Sequence, residues 1–247
     1  PRANTLKAFM EAVRDALPEA FLLENVQGLS YSGKNEGYRL LVRMTEEINN
    51  ERGTDYALSP MVLNSADYGV PQARKRFFLI GHRGGGTFRF PRPTHGSAPN
   101  NRLPLGNAAI ESHVAAWEAI GHLDSALDGE DLTLRGKWAD LVPSIPEGEN
   151  YLWHTNRRGG QPIFGWRTRY WSFLLKLAKD RPSWTIQAQP GPAIGPFHWS
   201  NRHLSTEEMK ALQTFPSEVR IVGGRRSAQK QLGNAVPSLL AEVLARG

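Results

Sequence analysis

Near the start of the chain, Leu6, Phe9, Met10, Val13 and Leu17 recur at steps of three and four, with polar residues between them. That spacing puts an apolar stripe on one side of a helix, so a helix is predicted over residues 5–17, stopped by Pro18. Residues 20–26 form a short apolar run that turns polar only at Glu24-Asn25, the pattern of a buried strand, here expected to be parallel to its neighbours. A Gly/Ser loop is expected over 27–36. The helical spacing returns over 37–51, with Leu40, Leu41, Met44 and Ile48 inward and Arg43, Glu46 and Glu47 outward, and Gly53 ends it. Strands are predicted at 56–64 and 76–81. Strands alternating with helices predict an α/β fold, a sheet covered by helices.

After His82 the pattern dissolves. Gly84-Gly85-Gly86 and Pro91-Arg92-Pro93 are loop signals, and periodicity stays weak to about Trp199. Six of the seven tryptophans lie between Trp138 and Trp199. This stretch is expected to be a separate, irregular small domain, with its tryptophans as core rather than as base-stacking platforms. Periodicity resumes at 206–213, where Ser205 and Glu208 have the spacing of a capping box. A final helix is predicted over 236–246 with Pro237 in its first turn. The expected organisation is therefore 1–87, then 88–199, then 200–247.

Composition narrows the function. At 247 residues, 40% of them hydrophobic, the chain can bury a core, yet no run approaches the roughly 18 apolar residues of a membrane span. No secretion signal is recognisable, so a soluble cytoplasmic protein is expected. The chain opens on Pro1 rather than Met, which points to a processed, trimmed or partial start. It contains no cysteine, which excludes disulfides, thiolate metal sites and a cysteine nucleophile within it. No metal site is expected. The net charge of +6 is unevenly spread: residues 111–150 hold nine acidic and two basic residues, residues 151–230 thirteen basic and four acidic. Such a half suits a polyanion such as nucleic acid, or is simply a solvated basic face.

Three strings could carry chemistry. Glu24-Asn25-Val26 closes a strand at the place where open α/β sheets put their ligand sites. A carboxylate there is costly unless it is paired, bound or protonated; a structural Glu that caps a helix or pairs with an Arg fits equally. Gln72-Ala73-Arg74-Lys75-Arg76 runs into the next strand. Arg74 and Arg76, two apart, would share a face in extended chain, and fixed guanidinium groups suit phosphates or base carbonyls. The alternative is edge charge that blocks aggregation. Gly233-Asn234-Ala235 precedes the last helix, where exposed N–H groups could hold an anion, or where Asn234 merely caps. A fourth string, residues 202–216, is expected to be scaffold.

In this order and spacing, Glu-Asn-Val, Gln-x-Arg-x-Arg, Arg-x-Leu-Ser…Leu-Gln-x-Phe-Pro and Gly-Asn-Ala-Val-Pro resemble the C-terminal motifs of the DNA (cytosine-5)-methyltransferases. The resemblance implies part of a Rossmann-like, S-adenosylmethionine-dependent α/β domain with an inserted target-recognition domain. It implies that Glu24 meets N3 and the amino group of a flipped cytosine, that Arg76 holds O2, that Arg74 braces the site, and that Asn25 orients the loop around Glu24. Asn234, with Gly233 and Ala235, would line the S-adenosylmethionine pocket. Gln72, Arg157, Arg158, Arg167 and Arg169 would contact double-stranded DNA. In the family a cysteine attacks the base and a Gly-rich loop holds the cofactor. Neither is present, so the chain resembles the second half of such an enzyme. An N-terminal half, in the same chain or a separate subunit, is expected to supply both, and this chain alone is expected to be inactive. The resemblance implies a bacterial or phage restriction–modification setting. The alternative is a non-catalytic DNA-binding or regulatory subunit.

Overall fold

The computed structural model describes residues 2–30, 36–97, 110–124, 129–167 and 169–246. In chain order its elements are α1 (Arg2–Ala16), β1 (Ala20–Val26), α2 (Glu36–Arg52), β2 (Ala57–Asn64), β3 (Gln72–Ala73), β4 (Lys75–His82), β5 (His95–Gly96), β6 (Glu111–Ser112), α3 (Ala116–Ile120), β7 (Ser183–Trp184), α4 (Thr206–Leu212), α5 (Arg225–Asn234) and α6 (Ser238–Arg246). They fall into two compact units, one of residues 1–64 and 75–92, the other of residues 65–74 and 93–246. No helix among the described residues is long and apolar enough to cross a membrane.

The first unit is a three-stranded sheet in the order β1-β4-β2 under two helices. The predicted stripes do the covering: Leu6, Met10 and Val13 of α1 and Leu41, Met44 and Ile48 of α2 pack on Phe21, Leu23, Phe77 and Leu79. Each such side chain, fully buried, contributes about 1.5–3 kcal/mol. Gly53 ends α2 at φ +64, the left-handed turn that glycine takes without steric cost. At Gly81 a Cβ would lie 2.2 Å from the Phe21 ring, so the glycine makes room for the aromatic.

The expectation of a buried parallel strand at 20–26 is corrected. β1 and β2 both run antiparallel to β4. β1 buries Phe21 and Leu23 but leaves Leu22 and Val26 45% and 48% exposed. A short apolar run signals a strand, not its pairing direction or whether both faces are covered. Only β4, the central strand, is buried through its middle, from Phe77 to Gly81. Pro60 is tolerated because β2 is an edge strand. The expected loop at 27–36 begins as a 3-10 turn, Gln27–Ser30; residues 31–35 lie outside the described residues, as do 98–109, 125–128 and 168 of the small-domain segment.

The second unit is irregular, as its texture foretold. Its sheets are two-stranded parallel ladders, β3 with β7 and β5 with β6. Loop crossings satisfy much of the remaining backbone: Leu177 N–H donates to Phe197 O, and Phe197 N–H to Leu175 O, both at 2.8 Å. One core joins Ala116 and Ile120 of α3, Met209 and Leu212 of α4, and Leu232 of α5 with Ile186 and Trp199. Another gathers Val142, Ile145, Leu152, Leu174 and Phe197 beside an aromatic cluster. There Trp138, Tyr151, Phe164 and Phe173 pack edge-on or tilted, with centroids 5.1–6.2 Å apart. Trp138, Trp153, Trp166 and Trp199 join these cores. Trp171 and Trp184 stay about half exposed, which corrects the core role for those two.

The capping box forms: Ser205 Oγ accepts from Glu208 N–H at 3.1 Å, and Glu208 Oε2 from Ser205 N–H at 2.8 Å. α5 is a helix that the periodicity did not announce. Its sequence is mostly polar, and only Ala228, Leu232 and Gly233 are buried. α6 starts at Ser238, so Pro237 stands just before it rather than in its first turn.

Candidate functional site

In the first unit, β1 and β4 bring together the two groups that the sequence singled out. The register sets Glu24 opposite Phe78 and Arg76 opposite Val26, so the pair lies diagonally across two strands on one face. Long side chains reach across that diagonal. Arg76 Nε lies 3.0 Å from Glu24 Oε1, with the side chains 14% and 23% exposed. Arg76 Nη1 also donates to the Lys75 carbonyl at 2.8 Å. Burial pushes the Arg76 guanidinium below its ordinary value, and the Glu24 carboxylate opposes that shift. The pair thus sets a carboxylate and a planar donor side by side at a partly open sheet end. Asn25 sits opposite Phe77, on the other face. Its Oδ1 accepts from Val26 N–H at 2.8 Å, so it fastens the strand end behind Glu24.

In the second unit, Arg74 and Gln72 have quite different surroundings. Arg74 is 1% exposed; its Nη2 donates to Gly233 O at 2.7 Å and its Nη1 to Ile186 O at 3.3 Å. The first acceptor belongs to the last turn of α5, where the helix dipole favours a cation. Gln72 is fully buried: its Oε1 accepts from Ile186 N–H at 3.0 Å, and its Nε2 donates to Leu212 O at 3.3 Å. The DNA contact expected of Gln72 is therefore corrected. Both ends of its amide are spent inside the unit, tying the segment before β4 to α4 and to the stretch after β7.

Gly233 and Asn234 lie at the end of α5, not at the start of α6, which corrects the expected helix-start geometry. A Cβ on Gly233 would stand 2.4 Å from Ala188 N and 2.5 Å from Ala188 Cα. The glycine is required by a backbone crossing. Ala235 N–H already donates to Gln231 O and Leu232 O, both at 3.1 Å. Asn234 is exposed.

The four arginines expected on DNA, Arg157, Arg158, Arg167 and Arg169, are exposed. Arg157 stacks 4.8 Å from the centre of the Trp166 ring, and Arg158 Nη1 lies 3.3 Å from Glu149 Oε1. Arg167 is placed through its backbone, its carbonyl accepting from Tyr151 Oη at 2.6 Å. Before α4, Arg202 donates to both Glu208 oxygens at 2.9 and 2.7 Å and reaches Asp124 Oδ1 at 3.3 Å. His198 is fully buried against this network. Burial pushes it down to about 4; Glu208 pulls the other way, and Arg202 adds to the fall.

The family model for C-5 cytosine-specific DNA methylases matches residues 1–247. The chain belongs to this family. It is 40% identical over 256 residues to the type II methyltransferase M.SacI of Streptomyces achromogenes, covering 100% of this chain and 64% of that protein. It is 32% identical to M1.HphI of Haemophilus parahaemolyticus, covering 99% of this chain and 60% of that one. The chain thus spans less than two thirds of the length of these relatives. Its fold is similar to that of a putative DNA modification methyltransferase encoded in an Escherichia coli prophage, with a TM-score of 0.59 at 18% identity, over 96% of this chain and 70% of that one. A mutant of Spodoptera frugiperda DNMT2 gives 0.54 at 13% identity, over 96% and 70%.

In this methylase-family chain, the structure pairs Glu24 with Arg76 and, in the other unit, ties Gln72 and Arg74 to the backbone around Ile186 and to α4 and α5. The sequence reading missed Arg225, Arg226 and Lys230, which line one cleft in the second unit. A signal was there: Gly223-Gly224 breaks the chain just before a pair of arginines and a helix-forming run.

Proposed function

We propose that this chain is the base-clamping and DNA-reading portion of a DNA cytosine-5 methyltransferase, which transfers a methyl group to C5 of a cytosine flipped out of duplex DNA. The Glu24–Arg76 pair carries this reading. Nucleophilic addition at C6 drives negative charge onto the ring nitrogen and carbonyl of the base. Glu24 holds the N3 and amino edge and shares a proton at N3; Arg76 donates to O2. Groups fixed in advance where charge develops stabilise the transition state without reorganising. Two strands of one sheet supply that fixation. Flipping the base costs a few kcal/mol of unstacking.

S-adenosylmethionine, when bound, supplies the methyl group as a sulfonium. Of the three residues expected to hold it, Asn234 fits, since its exposed amide can bond a carboxylate or hydroxyl. Gly233 is packed on Ala188, and the Ala235 N–H is already engaged. The cysteine nucleophile and the Gly-rich loop are assigned to an N-terminal half, in the same chain or as a separate subunit. The greater length of the relatives supports this. So does β1, which pairs only with β4 among the described residues and carries exposed Leu22 and Val26 on the sheet face opposite Phe21 and Leu23. Residues 1–87 and 200–247 then belong to the catalytic domain, and residues 88–199 to target recognition, with Arg157, Arg158, Arg167 and Arg169 on DNA. The type II methyltransferases among the relatives support a modification role.

The absence of cysteine favours a second reading, a DNA-binding or regulatory subunit. Transfer of labelled methyl to duplex DNA separates the two. The purified chain alone gives none. Adding a front half that bears the cysteine and cofactor loop gives transfer, and Glu24→Ala abolishes it. Transfer by the chain alone, or undiminished transfer with Glu24→Ala, overturns the proposal. Sequence-specific DNA binding that no front half converts to transfer favours the second reading.

A further inference from the structure

The start of α5 is built differently from the rest of the second unit. Gly224 offers no side-chain cap, and no acidic residue stands in the first turn. The positive end of the helix dipole is left uncompensated there. Arg226 and Lys230, four apart on one side of α5, are exposed, and Arg225 beside them is half-buried. All three open onto a cleft of about 1110 Å³, across from Gln189, Gly191 and Arg135. Four cations line this cleft against one carboxylate, Asp131, which Arg135 already holds at 2.5 Å.

Among the described residues, no carboxylate lies within ion-pair distance of Arg225, Arg226 or Lys230; Arg225 bonds instead to the neutral Gln229 Oε1 at 3.2 Å. His203, on the same wall, reports the field. Burial, then Arg225, pushes it down to about 4, with Arg226 adding and Asp131 opposing. Burial lowers the Arg225 pKa and Arg226 adds to the fall, while Glu130 and Asp131 oppose it; of those two carboxylates only Asp131 lines the cleft. The spacing of the cations along α5, about 6 Å for the four-residue step, matches a chain of anions better than one small ion.

We infer that this cleft holds the sugar–phosphate backbone of duplex DNA, with the α5 start, Arg225, Arg226 and Lys230 meeting its phosphates. The inference rests on the methyltransferase reading, which makes duplex DNA the polyanion at hand. These contacts set register and orientation and read no sequence.

The test uses the 247-residue chain and a short duplex, with affinity followed by fluorescence anisotropy between about 50 and 200 mM salt. Arg226→Glu with Lys230→Glu reverses two exposed charges, and Arg226→Lys with Lys230→Arg preserves them; circular dichroism confirms that both variants fold. The reversed variant is expected to lose affinity about tenfold or more and to flatten the log K against log salt slope by about 2, while the conservative one keeps both. An unchanged slope in the reversed variant, or no salt-dependent binding by the unsubstituted chain, overturns the inference. Inorganic phosphate provides a second arm. If it stabilises the chain through Arg226 and Lys230 while the duplex slope stays unchanged, the cleft is a free-anion site and the DNA assignment fails. The methyltransferase reading is judged separately by Glu24→Ala in the transfer assay.

Discussion

Arg76 keeps part of its side chain open on a regular antiparallel sheet and faces Glu24 at 3.0 Å. Arg74, two positions earlier, is 1% exposed in an irregular unit and donates to the carbonyl oxygens of Gly233 and Ile186. The same guanidinium has been put to two uses. Beside a carboxylate at a partly open strand end, it keeps a partner that an incoming hydrogen-bond acceptor could replace. Inside, with its charge spread over backbone dipoles at a helix end, it holds chain segments together. A regular sheet fixes a pair by strand register alone. A unit with few ladders needs long polar side chains to staple its loops.

That contrast can be broken by experiment, the largest effect first. Glu24→Gln in the enzyme reconstituted with its front half should slow methyl transfer by about 10²–10³-fold or more. The unfolding midpoint of the chain should scarcely move; a large fall in stability would make Glu24 a structural residue instead. Arg74→Met should do the reverse in kind, costing about 3 kcal/mol or more in urea denaturation, because two buried carbonyls lose a charged donor. Arg74→Lys should recover little, since an ammonium lacks the planar fork. Stability unchanged in Arg74→Met would refute the stapling role.

Gly233→Ala should cost about 2–3 kcal/mol, because its Cβ would meet the Ala188 backbone at 2.4 Å. Gly224→Ala, with nothing within 4 Å, should cost less than about 1 kcal/mol. Equal costs would remove the close crossing as the reason for Gly233. The smallest effect is on pH. His198 and His203 are each held at about 4 by burial first. The unfolded chain takes up these protons near 6.5, before the folded one does. Stability is therefore full above about 6.5 and falls as pH drops from 6.5 towards 4. From pH 7 to 6 the pair should cost roughly 1 kcal/mol, and replacing both by Gln should flatten that slope. An unaltered slope would assign the acid sensitivity to other groups.

The helices α1 and α2 were legible because a covering helix must repeat its apolar residues every three to four positions. The three strands of the first unit were legible as short apolar runs, and the capping box as a local exchange within four residues. α5 was not. Its buried face is only Ala228, Leu232 and Gly233, too thin a stripe to stand out from a polar run. Gly233 read as a turn residue, since nothing in its neighbours announces the backbone of Ala188. Glu24 and Arg76 were each visible as candidates, and Gln72 was indistinguishable in type from a residue that reads DNA.

By itself, then, the sequence determined the helices and strands of the first unit, where the regular region gives way to the irregular one, and that no cysteine is present, all of which follow from local periodicity and residue type. The order and spacing of its motifs pointed to the family. The antiparallel pairing of β1 with β4, the meeting of Glu24 with Arg76, the burial of Gln72 and Arg74, and the gathering of cations beside α5 were decided only by tertiary structure. Each depends on groups far apart along the chain arriving within a few ångströms, and a side chain's chemistry there is set by what surrounds it rather than by its neighbours in sequence.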